Sequence, residues 1–272
     1  MVIEKGEETS TVPLSEVAVL LVSHPAVTYT NAVLSGMCAN GGIFVLCNEK
    51  RMPAGMLLPL DSHFIQTERF SSQAQASLPL KKQLWKQIVK AKVIAQGRLL
   101  ESITGRDIGL SMLAEKVCSG DATNVEAQAS RRYWGALFGK DFRRDHEGEG
   151  PNIFLNYGYG VLRATVARAV CSAGLHPSLG LHHHNRYNSF CLADDLMEPY
   201  RPAVDGIVFN LCKEKDIFLL DKEAKAFIVK SLIEKEFALD GESRRLFDAS
   251  AHTASSLSAV FSAKRKTLLL PE

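Results

Sequence analysis

No two of the six cysteines (Cys38, Cys47, Cys118, Cys171, Cys191 and Cys212) form a C-x-x-C pair. That excludes a zinc ribbon and argues against a disulfide framework, so the thiols read as reduced. No apolar run approaches the roughly 20 residues of a membrane span. The opening "MVIEKGEETSTV" has neither the basic start nor the apolar heart of a secretory signal. Neither sign of charge predominates: 32 Lys and Arg against 30 Asp and Glu leave a net +2. Attraction to a polyanion would therefore have to come from local clusters. Three catalytic signatures are absent: the Walker A lysine loop, the G-x-S-x-G elbow of hydrolases and the paired Glu-x-x-His of di-iron bundles. These absences leave a soluble intracellular protein with no membrane association.

What is there is ordinary globular material: 272 residues, 46% apolar and 23% charged. That is enough to bury a sizeable core in one large or two modest domains. "EVAVLLVS", "AVTYT" and "GGIFVLCN" are short β-branched and aromatic runs between Pro, Asn and Gly, and they read as strands. "NAVLSGMCAN" fits a single helix among them. "HFIQTERFSSQAQASLP" is polar and reads as a connection. From Pro79 onward the pattern is helical. Leu84, Ile88, Ala91 and Ala95 recur at helical spacing, with Pro79 at the start and Gly97 at the end. "DATNVEAQASRRYWGALFG" opens on capping residues and closes on Gly139. "NIFLNYGYGVLRATVARAVCSAG" reads as a buried helix. Two more helices are expected near 222–237 and 242–263. The fold class is α+β: a β-rich domain over 1–62, a linker over 63–79, and a larger helical domain over 80–272.

One short stretch, "HHHNRYNSFCLADDLME" at 182–198, gathers three histidines and three carboxylates, and "PYRP" follows it at once. Ser189 is a plausible cap for a helix here. Pro199 and Pro202 predict a break just after Glu198, because each removes a backbone donor and clashes with the preceding turn. On that helix Asp194 or Asp195 shares a face with Glu198. Unpaired carboxylates repel, and a cation between them removes that cost. Imidazole with carboxylate suits Mg²⁺ or Mn²⁺ better than a structural zinc. The competing reading is a solvated acidic helix face. Glu126, in "NVEAQASRRYW", is a candidate third ligand, although a carboxylate in a helix first turn is also favoured by the helix dipole.

Residues 81–106 carry Lys81, Lys82, Lys86, Lys90, Lys92, Arg98 and Arg106 against Glu101 alone. They form either a phosphate track or a solvated lysine face. Arg163 and Arg168 lie in the apolar helical segment, where an arginine needs a carboxylate or phosphate partner. Tyr157 and Tyr159 either pack or stack on a nucleic-acid end, with packing the default.

Four motifs in order, "GDATNVEAQASRRYW", "NIFLNYGYGVLRA", "AGLHPSLGLHHHNRYNSF" and "LADDLMEPYRPAVD", resemble the CRISPR adaptation integrases, the Cas one family. "MEPYRP" close behind "HHN" is most similar to the type II branch. The resemblance covers nearly the whole chain, including "FVLCNEKRMPAGMLLPL". It implies a metal-dependent DNA endonuclease and integrase in the cytoplasm of a prokaryotic cell. It also implies an N-terminal β domain for homodimerisation and a helical catalytic domain. The family's E-A-x-x-x-x-x-Y pattern falls on Glu126 and Tyr133. Its histidine, three before Arg186 and fifteen before Glu198, falls on His183. Glu126, His183 and Glu198 are thereby the implied catalytic metal ligands. Asp195 is a supporting carboxylate, and His182 and His184 are neighbours. The implied cofactor is Mg²⁺ or Mn²⁺. The implied partners are double-stranded DNA (captured fragment and CRISPR repeat), a second copy of the chain and the small protein Cas two. Lys81, Lys82, Lys86, Lys90, Arg163 and Arg168 are the candidate DNA contacts. Family members usually carry a further strand pair before the "TVPLSEV" segment. This chain starts almost at that point, so a shortened N-terminus and an unpaired sheet edge are expected. A general repair nuclease and a non-catalytic DNA-binding scaffold are the alternative functions.

Overall fold

The computed structural model describes residues 1–49, 53–59, 63–214 and 219–272. The expected boundary near residue 62 falls just outside the described residues. The N-terminal part contains a hairpin, β1 (Val2–Lys5) and β2 (Glu8–Thr11), and a three-stranded sheet of β3 (Val19–Val22), β4 (Ile43–Cys47) and β5 (Pro53–Leu57). β3 pairs with β4 in parallel across the helix α1 (Asn31–Ala39), and β4 pairs with β5 antiparallel. Ile43 and Val45 share one face of β4 and bury against Ala164 of the helical part, and Phe44 between them is buried as well.

Two expectations change here. Residues 2–11, in which no strands were expected, supply a strand pair ahead of "TVPLSEV". It forms its own sheet, so β3 keeps an unpaired edge among the described residues. "AVTYT" is not a strand: the chain turns after Pro25, and Thr30 enters α1 as its extended N-cap.

The helical part comprises α2 (Gln66–Ala74), α3 (Leu78–Thr104), α4 (Leu110–Ala114), α5 (Val125–Phe138), α6 (Pro151–Ser172), α7 (Cys191–Met197), α8 (Arg201–Glu214), α9 (Lys222–Glu234) and α10 (Leu246–Phe261). α6 is its axis, buried on nearly every face and packed by α7, α8, α9 and α10. α3 begins on Ser77, whose hydroxyl accepts from the Leu80 amide. It does not stop at Gly97. That glycine is buried inside the helix, where a Cβ would lie 3.3 Å from the Leu110 Cβ. The stop is Gly105, in the left-handed conformation that glycine adopts without strain.

The polar 66–74 segment is helical because its tertiary contacts are specific. Gln73 is buried and donates to the His176 and Leu179 carbonyls while accepting from the His176 amide. Arg69 donates to the Ala173 carbonyl. The helices expected over 222–237 and 242–263 are shorter by a hairpin, β6 (Glu236–Leu239) and β7 (Glu242–Arg245). Its Asp240–Gly241 turn has both residues at positive φ, the two-residue geometry that matches strand twist. The break after Glu198 is present as a single 3-10 turn, Glu198–Tyr200, between α7 and α8.

Candidate active site

Glu126 sits in the first turn of α5. The Asp121 carboxylate accepts from the Val125 amide at 2.8 Å and the Glu126 amide at 3.0 Å, so Asp121 holds the helix start. Asn124, at positive φ, makes no side-chain cap. The Glu126 carboxylate points at α3, where its Oε1 lies 2.6 Å from the Lys92 ammonium. Glu198 reaches the same ammonium from the end of α7, with Oε2 at 2.5 Å. Its other oxygen, Oε1, lies 3.0 Å from Arg201 Nε. Lys92 is 8% exposed and Glu198 3%. The Glu198 contacts are ion pairs by distance only, because Oε2 and Arg201 Nε lack hydrogen-bond geometry. Burial works to raise the Glu198 carboxyl, but Arg201 and Lys92 outweigh it and hold it below its usual range. Burial likewise opposes charge on Lys92, and Glu198 and Glu126 outweigh it.

His183 lies in the loop between α6 and α7. Its Nδ1 is 2.6 Å from Asp195 Oδ1. Asp195 is wholly buried and also accepts from the backbone amides of Leu181, His182 and His183. One carboxylate thereby fixes the loop and the ring together. The hydrogen bond to Asp195 raises the His183 pKa against the opposing effect of burial. His182 stacks flat on Trp85 of α3, with centroids 4.3 Å apart and 2° between planes, and Trp85 meets His183 edge-on. His184 is exposed and bonds the His182 carbonyl. Phe190, not Ser189, occupies the N-cap position of α7. Asp194 faces away from Asp195, into a bidentate pair with Arg163 (2.6 and 2.7 Å).

The structure therefore brings Glu126 and Glu198 together and orients His183 through Asp195. Among the described residues, no three His, Cys, Asp or Glu groups close on one point. The donor set still fits a hard divalent ion. Two carboxylates from separate elements share one cation, Glu198 Oε2 is buried without a hydrogen bond, and the imidazole is anchored at Nδ1 by a carboxylate.

The other expected residues scatter. Lys82 is exposed, while Lys81, Lys86 and Lys90 are half-buried, and Lys90 pairs with Glu115 at 2.9 Å. Lys92, counted with the basic cluster, belongs to the carboxylate site instead. Arg168 donates to the Gly41 carbonyl and lies over the Phe247 ring. Tyr133 is a packing residue whose hydroxyl donates to Asp205 at 2.7 Å; Tyr159 donates to the same carboxylate. Arg144 and Arg201 lie over the Tyr159 ring. With Arg163 and His146 they line a cleft of about 500 Å³ beside Asp194.

Burial pushes the Asp205 carboxyl from 3.8 up to about 6, against its two tyrosine donors. A raised acid favours the protonated fold, so its contribution is complete below pH 3.8 and is lost as pH climbs through 6. Asp205→Asn does not titrate. Its stability relative to wild type should therefore rise between about pH 4 and pH 7, by on the order of 3 kcal/mol. Urea unfolding of both proteins at the two pH values measures this, and a pH-independent difference would contradict it.

The family model described as CRISPR associated protein Cas1 matches residues 1–238. The chain belongs to the Cas1 family. It is 39% identical over 217 residues to the CRISPR-associated endonuclease Cas1 of Neisseria meningitidis, covering 79% of this chain and 71% of that one. Its fold is similar to a Cas1 protein from Thermotoga maritima, with a TM-score of 0.81 at 17% identity over 100% of this chain and 94% of that one. It is also similar to a casposase bound to its integration product, with a TM-score of 0.76 at 20% identity over 89% of this chain and 77% of that one. Cas1 membership fits the β-rich start and helical remainder seen here. Lys92, Trp85, Gln73 and Arg201 are the site residues that the motif reading passed over. The first two sit on the buried stripe of α3 with Ile88, Val89 and Gln96.

Proposed function

We propose that the chain is a metal-dependent DNA endonuclease and integrase of CRISPR adaptation, inserting captured fragments into the repeat array. The observation that carries this reading is the convergence of Glu126 and Glu198 on one buried point, from elements more than seventy residues apart, beside an oriented His183. In this reading Glu126, His183 through Nε2, and Glu198 hold Mg²⁺ or Mn²⁺. An ion held there would supply Lewis acidity to a phosphodiester. Asp195 keeps the Nδ1 proton on His183, so the neutral ring carries its lone pair on Nε2. Arg201 holds Glu198 in place. The attacking 3′-hydroxyl of the captured fragment gives its proton to solvent and forms the new P–O bond, while the P–O bond to the displaced strand's 3′-oxygen breaks and that oxygen takes a proton from solvent. Water in place of that hydroxyl gives hydrolysis at the same site.

The β-rich portion over 1–62 pairs two copies, the 63–79 segment connects, and the 80–272 portion carries the chemistry. The partners are double-stranded DNA and the small protein Cas two, in a prokaryotic cytoplasm. A labelled fragment incubated with a repeat-containing plasmid, Cas two and Mn²⁺ or Mg²⁺ tests this. Joined product is the expected result. Cleavage without joining favours the general nuclease, and no metal-dependent product from a folded sample favours the scaffold.

Lys81, Lys82, Lys86 and Lys90 supply phosphate contacts along α3, with Arg163 and Arg168 as further DNA contacts. Lys82→Gln with Lys86→Gln is expected to weaken DNA binding evenly across sequences. The double change should flatten the log–log salt dependence by roughly 0.9 per lost contact. Lys90→Gln should change it less, because Glu115 already neutralises that ammonium. An unchanged slope would return the lysines to a solvated face.

A further inference from the structure

Two carboxylates built to hold a divalent ion should repel each other when the ion is absent. Here they do not, because Lys92 Nζ lies 2.6 Å from Glu126 Oε1 and 2.5 Å from Glu198 Oε2. Arg201 engages the remaining Glu198 oxygen. Two anionic side chains thus already face two cationic ones, all on α3, α5 and the α7–α8 junction. A divalent ion entering this buried set would bring its whole charge without a counter-charge. In a low-dielectric site that is strongly unfavourable. The lysine is well suited to yield: its ammonium ends a flexible four-carbon stem. Its backbone is fixed in the middle of α3 between the buried Val89 and Val93.

We infer that Lys92 is an internal counter-cation, which bridges Glu126 and Glu198 in the free protein and must be displaced before a divalent ion can bind there. The inference rests on the metal reading of the same site and names the residue that controls it. A nucleic-acid phosphate arriving with the ion supplies the missing negative charge and gives the displaced ammonium a new partner. Ion binding is therefore weak in the free protein and strengthens with substrate. Lys92 is a positioning residue that couples the two.

The test is calorimetric titration of Mn²⁺ into the full-length protein without DNA, for wild type, Lys92→Met and Lys92→Arg, with thermal melting of each sample. Lys92→Met removes the charge and is expected to bind Mn²⁺ at least about tenfold more tightly than wild type. Without metal it should melt below wild type, because the carboxylates then repel, and it should gain more from saturating Mn²⁺. Lys92→Arg keeps the charge and should bind as weakly as wild type. Lys92→Gln replaces Lys92→Met if the latter does not fold. Wild type and Lys92→Met binding with equal affinity, or Lys92→Met binding more weakly, would overturn the inference and leave the metal reading standing. No Mn²⁺ binding by any of the proteins would overturn both.

Discussion

Glu198→Ala is expected to abolish strand transfer and to destabilise the fold, whereas Glu126→Ala abolishes strand transfer at little cost in stability. The two carboxylates share the Lys92 ammonium but differ in setting. Glu198 is buried and also faces Arg201, so its removal leaves a guanidinium without its near carboxylate in the interior. Breaking a buried pair in this way costs on the order of 3–5 kcal/mol. Glu126 is about a quarter exposed at its side chain, and Lys92 keeps Glu198 when it is lost. The Lewis-acid contribution that either ligand supports is worth several kcal/mol, so both variants should fall by roughly a thousandfold or more in rate. Glu198→Gln keeps the shape and serves as the better-folded control. Strand-transfer rates and urea unfolding on the same preparations measure both effects. An unchanged unfolding midpoint in Glu198→Ala would mean that Glu198 does not anchor the two cations.

Gly180→Ala should also cost activity severely, although residue 180 is no ligand. A Cβ there would lie 2.2 Å from the His183 carbonyl oxygen, 2.9 Å from Asp195 Oδ2 and 3.0 Å from the Cys191 Cβ. The first is backbone and the second is already held by two amides, so neither can yield as a flexible side chain would. The loop must instead move off Asp195, and His183 moves with it. A displacement near 1 Å at a reacting group costs about a hundredfold, which sets the expected loss in strand transfer. DNA binding should remain, since the lysines on α3 are untouched. Wild-type rates in Gly180→Ala would show that the Asp195–loop clasp does not position His183.

Much of this was legible in the residues, and the failures share a cause. The break after Glu198, the buried helix read from Asn152 and the stop at Gly139 follow from local chemistry, namely proline, apolar density and glycine. The missed features are tertiary. Gln73 reads as a solvated residue in a polar connection until the 173–179 turn docks on it. Lys92 reads as one lysine among many. Yet Trp85, Ile88, Val89, Lys92 and Gln96 fall on one buried stripe, and a lysine there needs an anionic partner. The signal is periodic, and a charge total over 81–106 does not carry it because the total ignores helix face. Gly97 does not stop α3 because a glycine inside a helix can serve close packing against a neighbour, here Leu110. The Asp240–Gly241 hairpin carried a strong turn signal, but the helical patterns on either side masked it. Glu126 is a candidate third ligand from its chemistry alone, but only the family resemblance sets it above a first-turn carboxylate favoured by the helix dipole, since nothing local links it to Glu198.

Whether Glu126, His183 and Glu198 act as one site is read from the strand-transfer rates of combined variants. Glu126→Ala, His183→Ala and the double variant should be compared with wild type on one labelled fragment and one repeat-containing plasmid. Residues that act as a unit lose nothing further once the first is gone. The double variant is therefore predicted to be no slower than the worse single variant. Losses that multiply, or joined product that survives in His183→Ala, would contradict a single shared site.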